Sequence, residues 1–110
     1  MGNPWRGDVV LVIEGQSHLM RLTLGALAEL EAGLSTGSLV DLVQRFETGE
    51  FSTRDVLTLI VAGLRGGGWK GQAGDLLSAE IEGGPMAAAR AAAELLARAF
   101  MIPESGDGGV

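Results

Sequence analysis

DVVLVIEGQSHLMRLT, residues 8–23, is the stretch that separates a mixed fold from an all-helical one. In its first half Val9, Leu11 and Ile13 alternate with Val10, Val12 and Glu14. Successive side chains of a strand point to opposite faces, and β-branched residues fit that pleated surface. The pattern therefore predicts a strand. Gly15, Gln16 and Ser17 read as a turn, and residues 18–23 as the returning strand of an antiparallel hairpin. A lone hairpin is marginal in water, so one face has to pack on helices. The rest of the chain has to supply them.

The next stretch, LTLGALAELEAGL (residues 22–34), has Thr23 placed to cap a helix. Leu24, Leu27, Leu30 and Leu34 fall near one face, which is expected to clamp the hairpin, while Glu29 points elsewhere. Gly25 in the first turn costs about 1 kcal/mol against alanine unless a backbone approaches closely there. Ser38 and Asp41 form a capping pattern ahead of Leu39, Leu42, Val43 and Phe46, with Gly49 as the stop. Ser52 and Asp55 repeat it. From there to Leu64 the pattern is apolar almost all round, the mark of a helix that is central or covered by a partner. Gly66, Gly67 and Gly68 then break the chain and read as a flexible helix–helix linker. A short helix is expected over 72–81, with Leu76, Leu77 and Ile81 apolar, ended by Gly83 and Gly84. Pro85 suits the first turn of a last, alanine-rich helix carrying the stripe Arg90, Glu94, Arg98. The fold class is thus α+β and mostly helical, an N-terminal β-hairpin packed on about five short helices. Residues 1–8 and 103–110 read as flexible tails, and 9–102 as a single domain.

Composition narrows the function. One domain fits in 110 residues, and 46% hydrophobic content supports a core, built from aliphatic side chains because aromatics are only 5%. The formal net charge of −6 argues against nucleic acid as a partner, since phosphate binding needs a basic stripe. With no cysteine, disulfides, thiolate catalysis and cysteine-held zinc are excluded. No apolar run approaches the roughly 20 residues of a membrane helix, so no membrane partner and a cytoplasmic location are expected.

The search for chemistry yields no catalytic residue, no cofactor site and no metal site. Residues 66–71, GGGWKG, match G-x-G-x-x-G, but they follow a helix instead of a strand and lead into no phosphate-binding Lys-Ser or Lys-Thr. His18, the sole histidine, reads as a solvated turn residue; Asp8 and Ser17 beside it do not make a triad. Trp69 has two readings, an anchor for a partner or a ring folded back onto an aromatic-poor core, and the composition favours the second.

In sequence order, LTLGALAELE, RFETGEFSTRDV and AGLRGGG, then IEGG and an alanine-rich helix, resemble the small tail-assembly-chaperone family of gene transfer agents and tailed phages. The resemblance runs from about residue 9 to 100. It implies no enzymatic activity. It implies instead that the chain binds the long, helical tape-measure protein encoded nearby, keeps it soluble until tube subunits polymerise around it, and is absent from the finished particle. Such a role requires an apolar groove or face for an amphipathic helix. Leu57, Ile60, Leu95 and Phe100 are the candidates for that surface, with Trp69 as a further partner contact. The alternative is a small DNA-binding regulator built on a helix-turn-helix-like pair, against which the acidic charge counts. Oligomeric state is not encoded in any feature of the sequence.

Overall fold

The computed structural model describes residues 8–34 and 38–100. The two expected tails lie outside the described residues, Asp8 excepted. Asp8 is buried, and its carboxylate takes a two-pronged hydrogen bond from Arg21, 2.6 Å to Nε and 3.1 Å to Nη2. The order of elements is β1 (Val9–Ile13), β2 (Gln16–Met20), α1 (Leu24–Gly33), α2 (Leu39–Thr48), α3 (Thr53–Gly66), α4 (Ala73–Leu77) and α5 (Gly84–Phe100). The architecture is α+β and mostly helical, as expected.

The hairpin is antiparallel, with Val9 opposite Met20 and Ile13 opposite Gln16. Its turn is shorter than the sequence suggests. Only Glu14 (φ 53°) and Gly15 (φ 79°) are in it, both left-handed as a two-residue hairpin turn demands. Gln16, Ser17 and His18 therefore belong to β2, which ends at Met20. Glu14 is held in this conformation from outside. Its N–H donates to the Glu80 carbonyl at 2.7 Å, and its carboxylate accepts the Glu80 N–H at 2.8 Å. Glu82 N–H donates to the Val12 carbonyl at 3.0 Å, and Ile13 and Ile81 form an isolated antiparallel bridge. This third rung corrects the helix expected over 72–81. A capping box at Gln72 and Asp75 starts α4, but it stops at Leu77, and residues 80–82 pair with β1 instead.

The core is built around α3. Leu59, Ile60, Val61, Ala62, Gly63 and Leu64 are all buried, which only a helix covered on every side achieves. The covering elements are α1, α5 and the end of β2, with α4 against the N-terminal part. From the hairpin come Val9, Leu11, Ile13 and Met20, one face of each strand. From α5 come Ala88, Ala91, Ala92, Leu95 and Leu96, where alanines let the two helix axes approach. In α1 the buried seam is Ala26 and Leu30; Leu24 is 86% exposed, while Leu27 and Leu34 are half-buried. The expected leucine face thus holds at Leu30, with Leu27 and Leu34 packed against the core beside it, and fails at Leu24. Gly25 has open space around its missing Cβ, so no backbone contact requires it.

The glycine run is a contact, not a flexible linker. A Cβ on Gly66 would lie 1.9 Å from the Arg21 carbonyl oxygen, and one on Gly67 2.0 Å from that of Leu19. The backbone of α3 abuts the backbone of β2 there, and Arg21 N–H donates to the Gly63 carbonyl at 2.8 Å. Gly68, at φ 104°, turns the chain away. More loosely held is α2. It buries Leu42 fully, stacks Phe46 on Phe51 with ring centroids 4.4 Å apart, and pairs Arg45 with Asp55.

Candidate partner-binding groove

The two halves of α3 differ. Beyond Leu59 it is enclosed; before it, Val56, Leu57 and Thr58 are only half-buried. The reason lies in its neighbours. The short α4 stops after five residues, and α5 begins on the far side of the 80–82 rung, so neither fully covers the first turns. What remains is a groove of about 490 Å³ between α3, α4 and the start of α5. Val56, Leu57 and Ile60 form its α3 wall, Leu76 and Leu77 its α4 wall, and Met86 its α5 wall. No charged side chain lines it. Leu77 is 74% exposed and Met86 70%, so the apolar surface reaches solvent.

A second groove, of about 600 Å³, lies on the other side of Leu57 and Leu77, between α1 and α3. Leu30, Val61 and Ala62 contribute to it, with Glu29 and Arg54 at its polar margin. Leu57 and Leu77 line both, so the two grooves form one apolar face divided by a ridge. Exposed apolar faces of this kind are where another apolar surface can pack.

The N-terminus of α3 is the rigid end of this face. Asp55 accepts Ser52 N–H at 2.9 Å, and Ser52 Oγ accepts Asp55 N–H at 3.1 Å, closing a capping box. The same carboxylate receives Nε and Nη2 of Arg45, each at 3.0 Å. Burial alone would push the Asp55 pKa up; the hydrogen bonds from Arg45 and Ser52 and the Arg45 charge outweigh it and hold it below the ordinary 3.8. The Arg45 guanidinium is correspondingly raised by its hydrogen bond to Asp55. On the other flank Arg65 bonds Glu29, the Gly71 carbonyl (3.3 Å) and Gln72 (3.4 Å), tying α3 to α1 and to the start of α4.

Of the residues singled out from sequence, the fold brings two together here. Leu57 stands on the ridge and Ile60, 2% exposed, forms the floor of the first groove. Leu95 is elsewhere: at 1% exposure it packs where a Cβ on Gly63 would meet its Cδ1 at 2.6 Å. It belongs to the α3–α5 core contact and offers no surface in the isolated chain. Phe100, 43% exposed, lies at the far end of α5. Trp69 is half-buried against the core with its ring over Gly71. Sequence reasoning missed Leu77 and Met86. The signal for Leu77 was present, since on a five-residue helix Leu76 and Leu77 cannot both face inward. Met86 offered no signal of its own beyond its place beside Pro85.

Among the described residues no group of histidines and carboxylates is placed to hold a metal ion, and no helix is long and apolar enough to cross a membrane. A family model described as phage tail tube protein, GTA-gp10, matches residues 6–102. No curated protein and no solved structure matches the chain.

Proposed function

Since the chain belongs to the phage tail tube protein, GTA-gp10, family, we propose that within tail building it acts as a non-enzymatic assembly chaperone that holds a helical segment of the tape-measure protein. Family membership gives the setting, the tails of phages and gene transfer agents. The observation that carries the chaperone reading is the uncharged groove between α3, α4 and α5, with Leu77 and Met86 standing open at its mouth. An amphipathic helix seats its apolar stripe in such a groove and leaves its polar face in water. The net charge of −6 keeps the loaded complex soluble.

The test is co-expression with the tape-measure protein of the same gene cluster, followed by affinity capture and sizing. The expected result is a soluble client that co-purifies with the native chain and not with Leu77→Asp. Because Leu77 is 74% exposed, that substitution leaves the fold intact, so loss of capture reports the groove. Purified particles supply a second readout. A chaperone is absent from them; a tube subunit is present in many copies, and finding the chain there would replace the chaperone role with a structural one.

A further inference from the structure

The groove has one chemically distinct end. At the end formed by Ala79, Ile81, Gly84 and Pro85 it opens into a second hollow that shares those four residues and is lined by Glu14, Glu80 and Glu82. No lysine or arginine lines that hollow, and none of the three carboxylates takes part in an ion pair of the described residues. Glu80 and Glu82 are fixed there by the rung to β1, and both side chains are exposed. An apolar trough with a concentrated negative end selects an occupant of matching polarity.

Resting on the groove reading above, we propose that the occupant is an amphipathic helix of the partner with Lys or Arg at one end of its apolar stripe, docked with that basic end at Glu80 and Glu82. The apolar stripe lies along Leu57, Leu77 and Met86. The charges fix direction: the reversed helix would carry its basic end away from Glu80 and Glu82. Charged groups at the margin of an apolar contact act this way in general, setting register and suppressing wrong orientations more than adding affinity.

The experiment uses the full chain and labelled peptides tiling the tape-measure protein, with binding read by fluorescence anisotropy at 0.1 M and 1 M salt. Three proteins are compared: native, Leu77→Asp, and the double variant Glu80→Lys/Glu82→Lys, each checked for its fold by thermal melting. Glu14 is left intact because its carboxylate holds the turn. The peptides that bind should carry Lys or Arg beside an apolar stripe. Charge reversal should weaken them at least about tenfold at 0.1 M salt. The difference should close at 1 M, where the screening length falls from about 10 Å to about 3 Å. Binding that survives charge reversal but is lost in Leu77→Asp overturns the orientation and leaves the groove standing. Binding unaffected by either variant overturns both.

Discussion

Replacing Gly66 by alanine tests whether the glycine run is a contact or a hinge. Gly66 is the last residue of α3, and an exposed helical glycine changed to alanine ordinarily gains up to about 1 kcal/mol. Here the new methyl would sit 1.9 Å from the carbonyl oxygen of Arg21 and 3.4 Å from the Ala26 Cβ. The nearest atom is backbone, so no side chain can swing aside, and the end of α3 has to retreat from β2 by more than about 1 Å to restore contact distance. That retreat stretches the 2.8 Å bond from Arg21 N–H to the Gly63 carbonyl beyond hydrogen-bonding range. Loss of one such bond costs about 1 kcal/mol and the strain of overpacking about 1–3 kcal/mol. After the helix gain is subtracted, Gly66→Ala should be destabilised by about 2 kcal/mol. At about 4–8 °C per kcal/mol for a domain of this size, Tm falls by roughly 10 °C. The control is Gly25→Ala in α1, whose Cβ would find nothing nearer than Thr23 Oγ1 at 3.9 Å. It should be stabilised by up to about 1 kcal/mol. Thermal melts followed by circular dichroism read both signs, and a Gly66→Ala protein at least as stable as the native chain refutes the argument.

Two further outcomes follow from the packing. Asp55→Asn should cost about 1 kcal/mol at neutral pH, the ordinary worth of a hydrogen bond, through its weakened pairing with Arg45. The native pKa of Asp55 is lowered, so its contribution is full above the unfolded value near 3.8 and is lost as pH falls through the folded value. Urea unfolding of the two proteins should therefore differ at pH 7 and converge in acid, and a gap that widens below pH 3.8 would contradict the assignment. Next, α2 buries one residue against seven for α3, so its amides should exchange with deuterium well before those of α3. Equal protection in the two helices would show that the Arg45–Asp55 pair and the Phe46–Phe51 stack hold α2 more firmly than its burial implies.

Local patterns made the hairpin and the position of α3 legible. Val9, Leu11 and Ile13 at alternate positions define β1, and the apolar run from Val56 to Leu64 marks the helix at the centre of the core. The turn was harder, because Gln16 and Ser17 are polar for the ordinary reason that they lie exposed on the sheet. The end of α4 was illegible in principle. Leu76, Leu77 and Ile81 suit a helix, and what overrides it is a pairing with Ile13, far upstream. The same holds for the glycines, whose partners are the carbonyls of Leu19 and Arg21. For the groove, Leu57 and Ile60 could be marked as apolar excess on α3. Leu95 carried the same signal yet faces Gly63, because exposure depends on which neighbour is missing, and sequence does not record absences.

The rung at Ile81 has a thermodynamic consequence. Its backbone neighbours bind the turn and edge of β1, while its side chain lines the groove. Opening the rung therefore dismantles one wall of the groove, and a ligand that requires that wall suppresses the opening by mass action. Occupancy at α3 should thus be visible at the hairpin, as slowed exchange of the Glu14 amide hydrogen bonded to the Glu80 carbonyl. A two-stranded sheet too small to stand alone becomes the part of the molecule that registers whether the groove is full.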